Sequence, residues 1–180
     1  PTPTDGVAFT ANYFDCEYYG DYYTPNIGNY YIHLSDSGFT ESGYARPNST
    51  YYRLDLYSDL YDDAEGGALH LPVGTYTLDT EDTLAHGTFS VAWSKYLRSD
   101  AEGEFSEELS FEAGELRVTE SGAQLKVTIA GTEHTVTYEG EMVVADKRID
   151  DGNNDDRPEG ILSTLTEDKR ALLDQHEMVY

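Results

Sequence analysis

The residues best suited to recognition chemistry are the tyrosines in the first third of the chain. Most of the 16 tyrosines precede residue 62, and many are adjacent, as in Tyr18-Tyr19, Tyr22-Tyr23 and Tyr30-Tyr31. Neighbouring side chains of a strand point to opposite faces of the sheet, so one ring of each pair is expected to face outward. An outward tyrosine presents an apolar plate with a polar tip, which suits stacking on a sugar or contact with a protein.

This pattern predicts a ligand-binding surface that takes a glycan or a surface protein. The candidate binding residues are Tyr19, Tyr22, Tyr23, Tyr31 and Tyr52. The alternative interpretation is that the tyrosines only form cross-strand pairs that cover a sheet.

Acidic side chains provide a weaker candidate site near the end of the chain. Asp151, Asn153 and Asp155 alternate as the first oxygen ligands of a calcium loop do. The glycine and the downstream glutamate of an EF-hand are not at their positions. We therefore expect a solvated acidic loop with weak Ca²⁺ binding and no dedicated cofactor.

The sequence contains no recognisable catalytic motif. The five histidines are scattered, without a His-x-x-x-His pair, and no Gly-x-Ser-x-Gly elbow is present. His33 and His134 lie within alternating segments, where they are expected to be sheet residues rather than bases. Cys16 lies among aromatic residues and is expected to be a small buried side chain. These observations predict a protein that is not an enzyme, with a polysaccharide hydrolase as the less favoured alternative because carboxylates are plentiful.

The charge balance restricts the partners. The chain has 35 acidic and 11 basic residues, and its formal net charge is -24. This charge repels nucleic acid and anionic lipid. No apolar run approaches the roughly 18 residues needed to span a bilayer, so we expect no membrane insertion by the chain itself. The single cysteine excludes an internal disulfide.

The elements that must position these residues are strands. Between Ala8 and Asp146 apolar and polar residues alternate, as at Leu54 and Leu56 in one half and Leu125 and Val127 in the other, so we expect one side of each strand to be buried. About nine segments of this kind are separated by turn residues, and one of them is predicted over 87–95. This pattern predicts an all-β fold, an antiparallel two-sheet sandwich of about nine strands. A calycin-like β-barrel is the alternative, since regular alternation is typical of both.

The composition divides the chain into three parts. Residues 1–7 are predicted to be an extended leader, and residues 8–148 the β domain. The acidic run after Ile149 predicts a linker, followed by a short C-terminal tail or helix within 149–180, because Thr166 is a suitable helix N-cap.

Several phrases of the β region are similar to those of a group of extracellular lipoproteins of unknown function from gut Bacteroidetes. The phrases are Tyr18-Tyr19-Gly20-Asp21-Tyr22-Tyr23, Gly28-Asn29-Tyr30-Tyr31-Ile32-His33-Leu34, Leu71-Pro72-Val73-Gly74-Thr75-Tyr76-Thr77-Leu78, Gly114-Glu115-Leu116-Arg117-Val118 and Thr137-Tyr138-Glu139-Gly140. The resemblance implies an all-β fold and an extracellular location at the cell surface on an outer-membrane anchor, and we expect the signal peptide and the anchor to lie outside this chain. It assigns no role to any residue.

Together these observations lead to one expectation about function. We expect a monomeric, non-catalytic extracellular module that binds a glycan or a protein through exposed tyrosines. The alternative is a structural or adhesion component of the cell envelope.

Overall fold

The computed structural model describes residues 6–61 and 69–148, which form strands and turns without a helix. The prediction of an all-β fold is therefore confirmed. The strands are β1 (Val7–Thr10), β2 (Tyr13–Gly20), β3 (Gly28–Ser35), β4 (Thr50–Ser58), β5 (Gly74–Asp79), β6 (Thr88–Ser90), β7 (Lys95–Ser99), β8 (Phe105–Ser110), β9 (Ala113–Val118), β10 (Gly122–Ile129), β11 (Thr132–Glu139) and β12 (Val144–Asp146).

The strands belong to one hydrogen-bonded sheet that curls into a half-barrel. The order across the sheet is β1-β11-β10-β9-β5-β6-β4-β3-β2-β12, and β7 and β8 extend it from β4. Most neighbouring strands are antiparallel, whereas β1 with β11, β5 with β6, and β2 with β12 are parallel.

This arrangement differs from the expected two-sheet sandwich of about nine strands. The short strand β6 pairs with β5 on one side and with β4 on the other, so it joins two groups of strands into one sheet. The segment predicted as one strand over 87–95 is divided, because residues 91–93 form a turn between β6 and β7. As for the barrel alternative, β1 and β12 end the path of described strands and do not pair with each other.

The core lies on the inner face of the curled sheet. β10 illustrates how the alternation produces it: Leu125 and Val127 are buried, while Gln124 and Lys126 between them face solvent. The same period of two buries Leu116 on β9. Burying such apolar side chains supplies the main driving force for folding.

Strands β3 and β4 are buried on both faces, unlike β10. Their inner face is apolar and includes Leu54 and Leu56, whereas their outer face carries Arg53 and Asp55. The expectation that the two-residue period buries only one side of each strand is therefore wrong for this pair. The outer face of β3 and β4 is polar and yet excluded from solvent.

The described β structure ends near Arg148, and the residues up to that point group into one compact unit. The tail predicted for 149–180 lies outside the described residues. Of the leader predicted for 1–7, only Gly6 and Val7 are described, and Val7 begins β1. Within 6–61 and 69–148, no helix has the length and apolar character required to cross a membrane.

Candidate functional site

The outer side of β2, β3 and β4 brings together a group of polar side chains that we call the polar face. Its members are Asp15, Glu17 and Tyr19 on β2, Asn29, Tyr31 and His33 on β3, Arg53, Asp55 and Tyr57 on β4, and Lys95 on β7. Side chains that lie directly opposite each other on neighbouring strands share a face of the sheet. The strand register therefore decides which of these groups meet.

One row of the polar face consists entirely of titratable residues. Asp15 pairs with His33, His33 with Arg53, and Arg53 with Lys95, across the four adjacent strands β2, β3, β4 and β7. His33, Arg53 and Lys95 are each at most 9% exposed. Charged side chains are seldom buried to this extent, so the row is an unusual feature of the sheet.

Arg53 is held by its nearest neighbours in a defined orientation. Its Nε donates a hydrogen bond to His33 Nε2 at 3.1 Å. Its guanidinium carbon lies 5.6 Å from the centre of the Tyr31 ring and 6.0 Å from that of Phe105. Because arginine is always a donor, His33 Nε2 must be an acceptor and carries no proton in this arrangement.

Asp55 lies at the end of a second row, in which Glu17 pairs with Tyr31 and Tyr31 with Asp55, and it has no exposure to solvent. One carboxylate oxygen accepts a hydrogen bond from Asn29 Nδ2 at 2.9 Å, and the other accepts one from the Tyr57 hydroxyl at 2.9 Å. The backbone N–H of Asp55 donates to Ser94 Oγ at 3.0 Å. A fully satisfied network of this kind makes a sheet surface rigid.

Two tyrosines of the polar face, Tyr19 and Tyr57, and Tyr23 beside it carry neutral hydroxyl groups. The Tyr19 hydroxyl donates to Glu17 Oε1 at 2.9 Å. Burial raises the pKa of Tyr19, Tyr23 and Tyr57 well above the ordinary value for a phenol, and nearby carboxylates raise it further. These hydroxyls therefore stay protonated at neutral pH.

The structure brings four of the five predicted binding tyrosines together. Tyr19 and Tyr31 belong to the polar face but are buried, so the expectation that these two tyrosines are exposed is wrong. Tyr23 interacts electrostatically with Asp55 and Tyr31 from the loop between β2 and β3. Next to it, Tyr22 is 40% exposed and meets the Tyr23 ring edge-on, with 4.8 Å between centroids.

Tyr52, the fifth predicted binding residue, lies on the opposite side of the sheet. Its ring is 1% exposed within the core, and its hydroxyl is hydrogen-bonded to His134 Nδ1 at 2.8 Å. Tyr52 therefore does not contribute to the polar face.

The predicted calcium ligands Asp151, Asn153 and Asp155 lie outside the described residues. Among the residues that are described, no three His, Cys, Asp or Glu side chains are grouped so that they could hold a metal ion.

Sequence reasoning missed the charged members of the polar face. Arg53, Asp55 and Lys95 were not among the predicted site residues, and His33 was expected to be only a sheet residue. The alternation of Arg53 and Asp55 with leucines places both on one face, but polarity alone normally indicates exposure to solvent. The cross-strand register was the additional information needed to bring them together.

Asp15, at the edge of the row, has a different environment from Asp55. Its Oδ2 is buried and accepts no hydrogen bond within the described part of the chain. Burial raises the pKa of this carboxyl above its ordinary value. A carboxyl in this environment favours its protonated form more than an exposed aspartate does.

Comparison of the chain with protein-family models, with curated proteins and with solved structures finds no match.

Proposed function

We propose that Tyr22 and Tyr23, with the partly accessible members of the polar face, bind a glycan, that the buried members hold them in place, and that the domain is a non-catalytic binding module. The observation that carries this proposal is the grouping of aromatic rings with oriented hydrogen-bonding side chains on one surface of the sheet. Sugars present both apolar ring faces and hydroxyls, so they need this combination of surfaces.

The cost of burying the polar face supports a functional role. Elsewhere in the sheet, as at Gln124 and Lys126, outward side chains face water. Excluding polar groups from water is unfavourable unless their hydrogen bonds are replaced. A network held in place before the ligand arrives loses less entropy on binding, which improves affinity.

The hydrogen bonds that the Asp55 and Glu17 carboxylates already accept support a non-catalytic role. Both oxygens of Asp55 already accept hydrogen bonds from Asn29 and Tyr57. Glu17 accepts one from Tyr19. A general acid or base must come within hydrogen-bond reach of the reacting bond. Asp55 is fully buried, so it is better suited to holding Asn29 and Tyr57 in position than to transferring a proton to a substrate.

We further propose that this module works at the surface of a bacterial cell, as part of an envelope lipoprotein. The resemblance of residues 8–148 to such proteins supports this location, and extracellular glycans are met there. A protein partner, or a structural role in the envelope, is the alternative use of the same surface.

The proposal is tested by titrating oligosaccharides into the full chain and into Tyr22→Ala. Tyr22 is exposed, so its replacement is expected to leave the fold intact and to weaken glycan binding about three- to tenfold, through the loss of ring contact. Tyr44→Ala is the matched control, because Tyr44 is 72% exposed and lies outside the polar face. The oligosaccharide affinity of Tyr44→Ala should equal that of the unchanged chain.

Two results would contradict the proposal. Equal affinity losses in Tyr22→Ala and Tyr44→Ala would mean that the polar face is not the binding surface. Release of new reducing ends from the bound oligosaccharide, abolished by Asp55→Asn, would mean that the domain is a hydrolase.

A further inference from the structure

Arg53 and Lys95 are two buried cations that face each other across β4 and β7. They are 7% and 9% exposed. Within residues 6–61 and 69–148, no carboxylate oxygen lies within 4 Å of the charged nitrogens of either side chain. This is unexpected in a chain with 35 acidic residues, because buried charges in proteins are usually paired.

The donors of both side chains are only partly used. Arg53 donates from Nε to His33, and neither of its Nη groups donates a hydrogen bond to the described residues. Lys95 Nζ donates to Ser110 Oγ at 2.9 Å. Burial lowers the pKa of Lys95, while the negative charge of Glu108 opposes this effect. The two cations thus retain unused donors on the same face.

We propose that Arg53 and Lys95 form an anion subsite, which takes the carboxylate or sulfate group of an acidic sugar. This inference rests on the proposed glycan-binding function and names the class of glycan. The two Nη groups of an arginine match two oxygens of a carboxylate or sulfate, and the lysine adds a point charge.

Aromatic rings complete the subsite on the sugar side. The Arg53 guanidinium lies over Tyr31 and Phe105, which keeps its Nη groups from rotating freely. Phe105 is 41% exposed, so part of its ring is available to a ligand. A sugar ring resting there would place its acidic substituent beside the Arg53 guanidinium.

The net charge of the protein further restricts the charge density of the ligand that the subsite can bind. A formal charge of -24 repels a dense polyanion over distances of about a Debye length, roughly 10 Å at 0.1 M salt. A buried pair of cations acts at short range, where the effective dielectric constant is lower. The subsite is therefore suited to a sugar with isolated acidic groups rather than to nucleic acid.

The test compares ligands that differ only in charge. Galacturonic acid and its methyl ester supply the carboxylate arm, and galactose 6-sulfate and galactose supply the sulfate arm, so that each charged probe carries one isolated acidic group. We expect one charged probe to bind the full chain about 10- to 100-fold more tightly than its neutral counterpart. A preference within the carboxylate pair means that the subsite binds a carboxylate, and a preference within the sulfate pair means that it binds a sulfate.

Substitutions then assign the preference to the subsite. Arg53→Gln and Lys95→Gln should each bring the charged and neutral probes to within a few fold of each other. Lys95→Gln retains a side chain that can form a hydrogen bond with Ser110. This variant therefore provides the test if Arg53→Gln does not fold. The matched control is Arg117→Gln, because Arg117 is an exposed cation that pairs with Glu115 on another part of the sheet.

The outcomes separate this inference from the proposed function. If neutral probes bind as tightly as charged ones and Tyr22→Ala weakens both, the anion subsite is wrong and the glycan-binding face stands. A preference for the charged probe that survives Lys95→Gln also overturns the subsite. If no probe of either arm binds, both proposals fail.

Discussion

Tyr52 and His134 are joined across the interior of the curled sheet, between strands that are not neighbours in it. The Tyr52 hydroxyl lies 2.8 Å from His134 Nδ1, and the rings of Phe9 and Tyr96 pack against the pair. Burial lowers the pKa of His134, so its imidazole stays neutral at pH 7. This hydrogen bond connects β4 with β11, and it gives Tyr52 a structural role.

We predict that Tyr52→Phe lowers the free energy of unfolding by about 1–3 kcal/mol, because it leaves His134 Nδ1 buried without a partner. Urea denaturation of the full chain measures this change. Tyr96→Phe is the matched control. Its ring is in the same cluster, but its hydroxyl makes no hydrogen bond to the described residues, so a change of less than about 0.5 kcal/mol is expected.

Equal destabilisation by Tyr52→Phe and Tyr96→Phe would contradict this assignment. It would mean that ring packing, rather than the hydrogen bond to His134, accounts for the effect.

The different positions of the tyrosines show how far the sequence can predict a site. The adjacent tyrosines correctly indicate that neighbouring rings point to opposite faces: Tyr18 is in the core and Tyr19 on the polar face. The sequence does not say which face is the core. For Tyr52 and Tyr31 this is decided by strand register and by long-range packing, which no local pattern contains.

At the level of strands and turns, the connection between β5 and β6 is notable because it is short for a parallel pair. Such pairs usually require a crossover of a dozen or more residues, but here the chain returns within residues 80–87. It does so with positive φ angles at Asp82, Leu84 and Gly87. Such an angle is unfavourable for leucine in particular, so other interactions must hold this turn.

Asp79 supplies those interactions. Its Oδ1 accepts a hydrogen bond from the Glu81 N–H at 3.1 Å. Its Oδ2 accepts bonds from the Thr83 N–H at 2.6 Å, the Thr83 hydroxyl at 2.8 Å and the Leu84 N–H at 3.0 Å. Burial would raise the pKa of Asp79, but these hydrogen bonds outweigh it and hold the pKa below its ordinary value.

We predict that Asp79→Asn destabilises the protein by about 1–3 kcal/mol, because an amide cannot accept hydrogen bonds at both of its terminal atoms. The change is measured by urea denaturation at pH 7. Asp100→Asn is the matched control in the turn between β7 and β8. There Oδ1 alone accepts both backbone bonds, from Glu102 and Glu104, and asparagine can replace it.

The pH dependence provides a second check on Asp79. Its pKa is lower in the folded protein than in the unfolded chain, so the stabilisation is fully present above about pH 4. It is lost as the pH falls through the folded-state pKa. The difference between the unchanged chain and Asp79→Asn should therefore shrink below pH 4. A difference that stays constant there would rule out the ionised carboxylate as the cause.

The strands themselves were largely predictable, but their pairing was not. The alternation at Leu125 and Val127 locates β10, because one side of that strand is buried and the other is solvated. The joining of the sheet through β6 depends on three residues, too few for a periodic pattern. The polar face was missed for a related reason, since Arg53 and Asp55 look like solvent-facing residues until their burial in the folded sheet is known.

For the protein as a whole, the distribution of charge has two different consequences. The formal net charge of -24 acts over long distances and opposes compactness through self-repulsion. The cations of the polar face act locally, between strands, and are shielded from solvent. Composition alone predicts the first consequence, whereas the second requires the strand register.

We predict that added salt stabilises the protein at pH 7 because it screens this self-repulsion. Raising NaCl from about 10 to 150 mM shortens the Debye length from roughly 30 to 8 Å. We expect the unfolding temperature of the full chain to rise by about 2–4 °C, which corresponds to a gain of about 1 kcal/mol. Repeating the titration near pH 4.2, the sequence pI, is the control, since the net charge is then close to zero. The rise should be absent there, and an equal rise at both pH values would mean that salt acts through hydration or ion binding instead of through net charge.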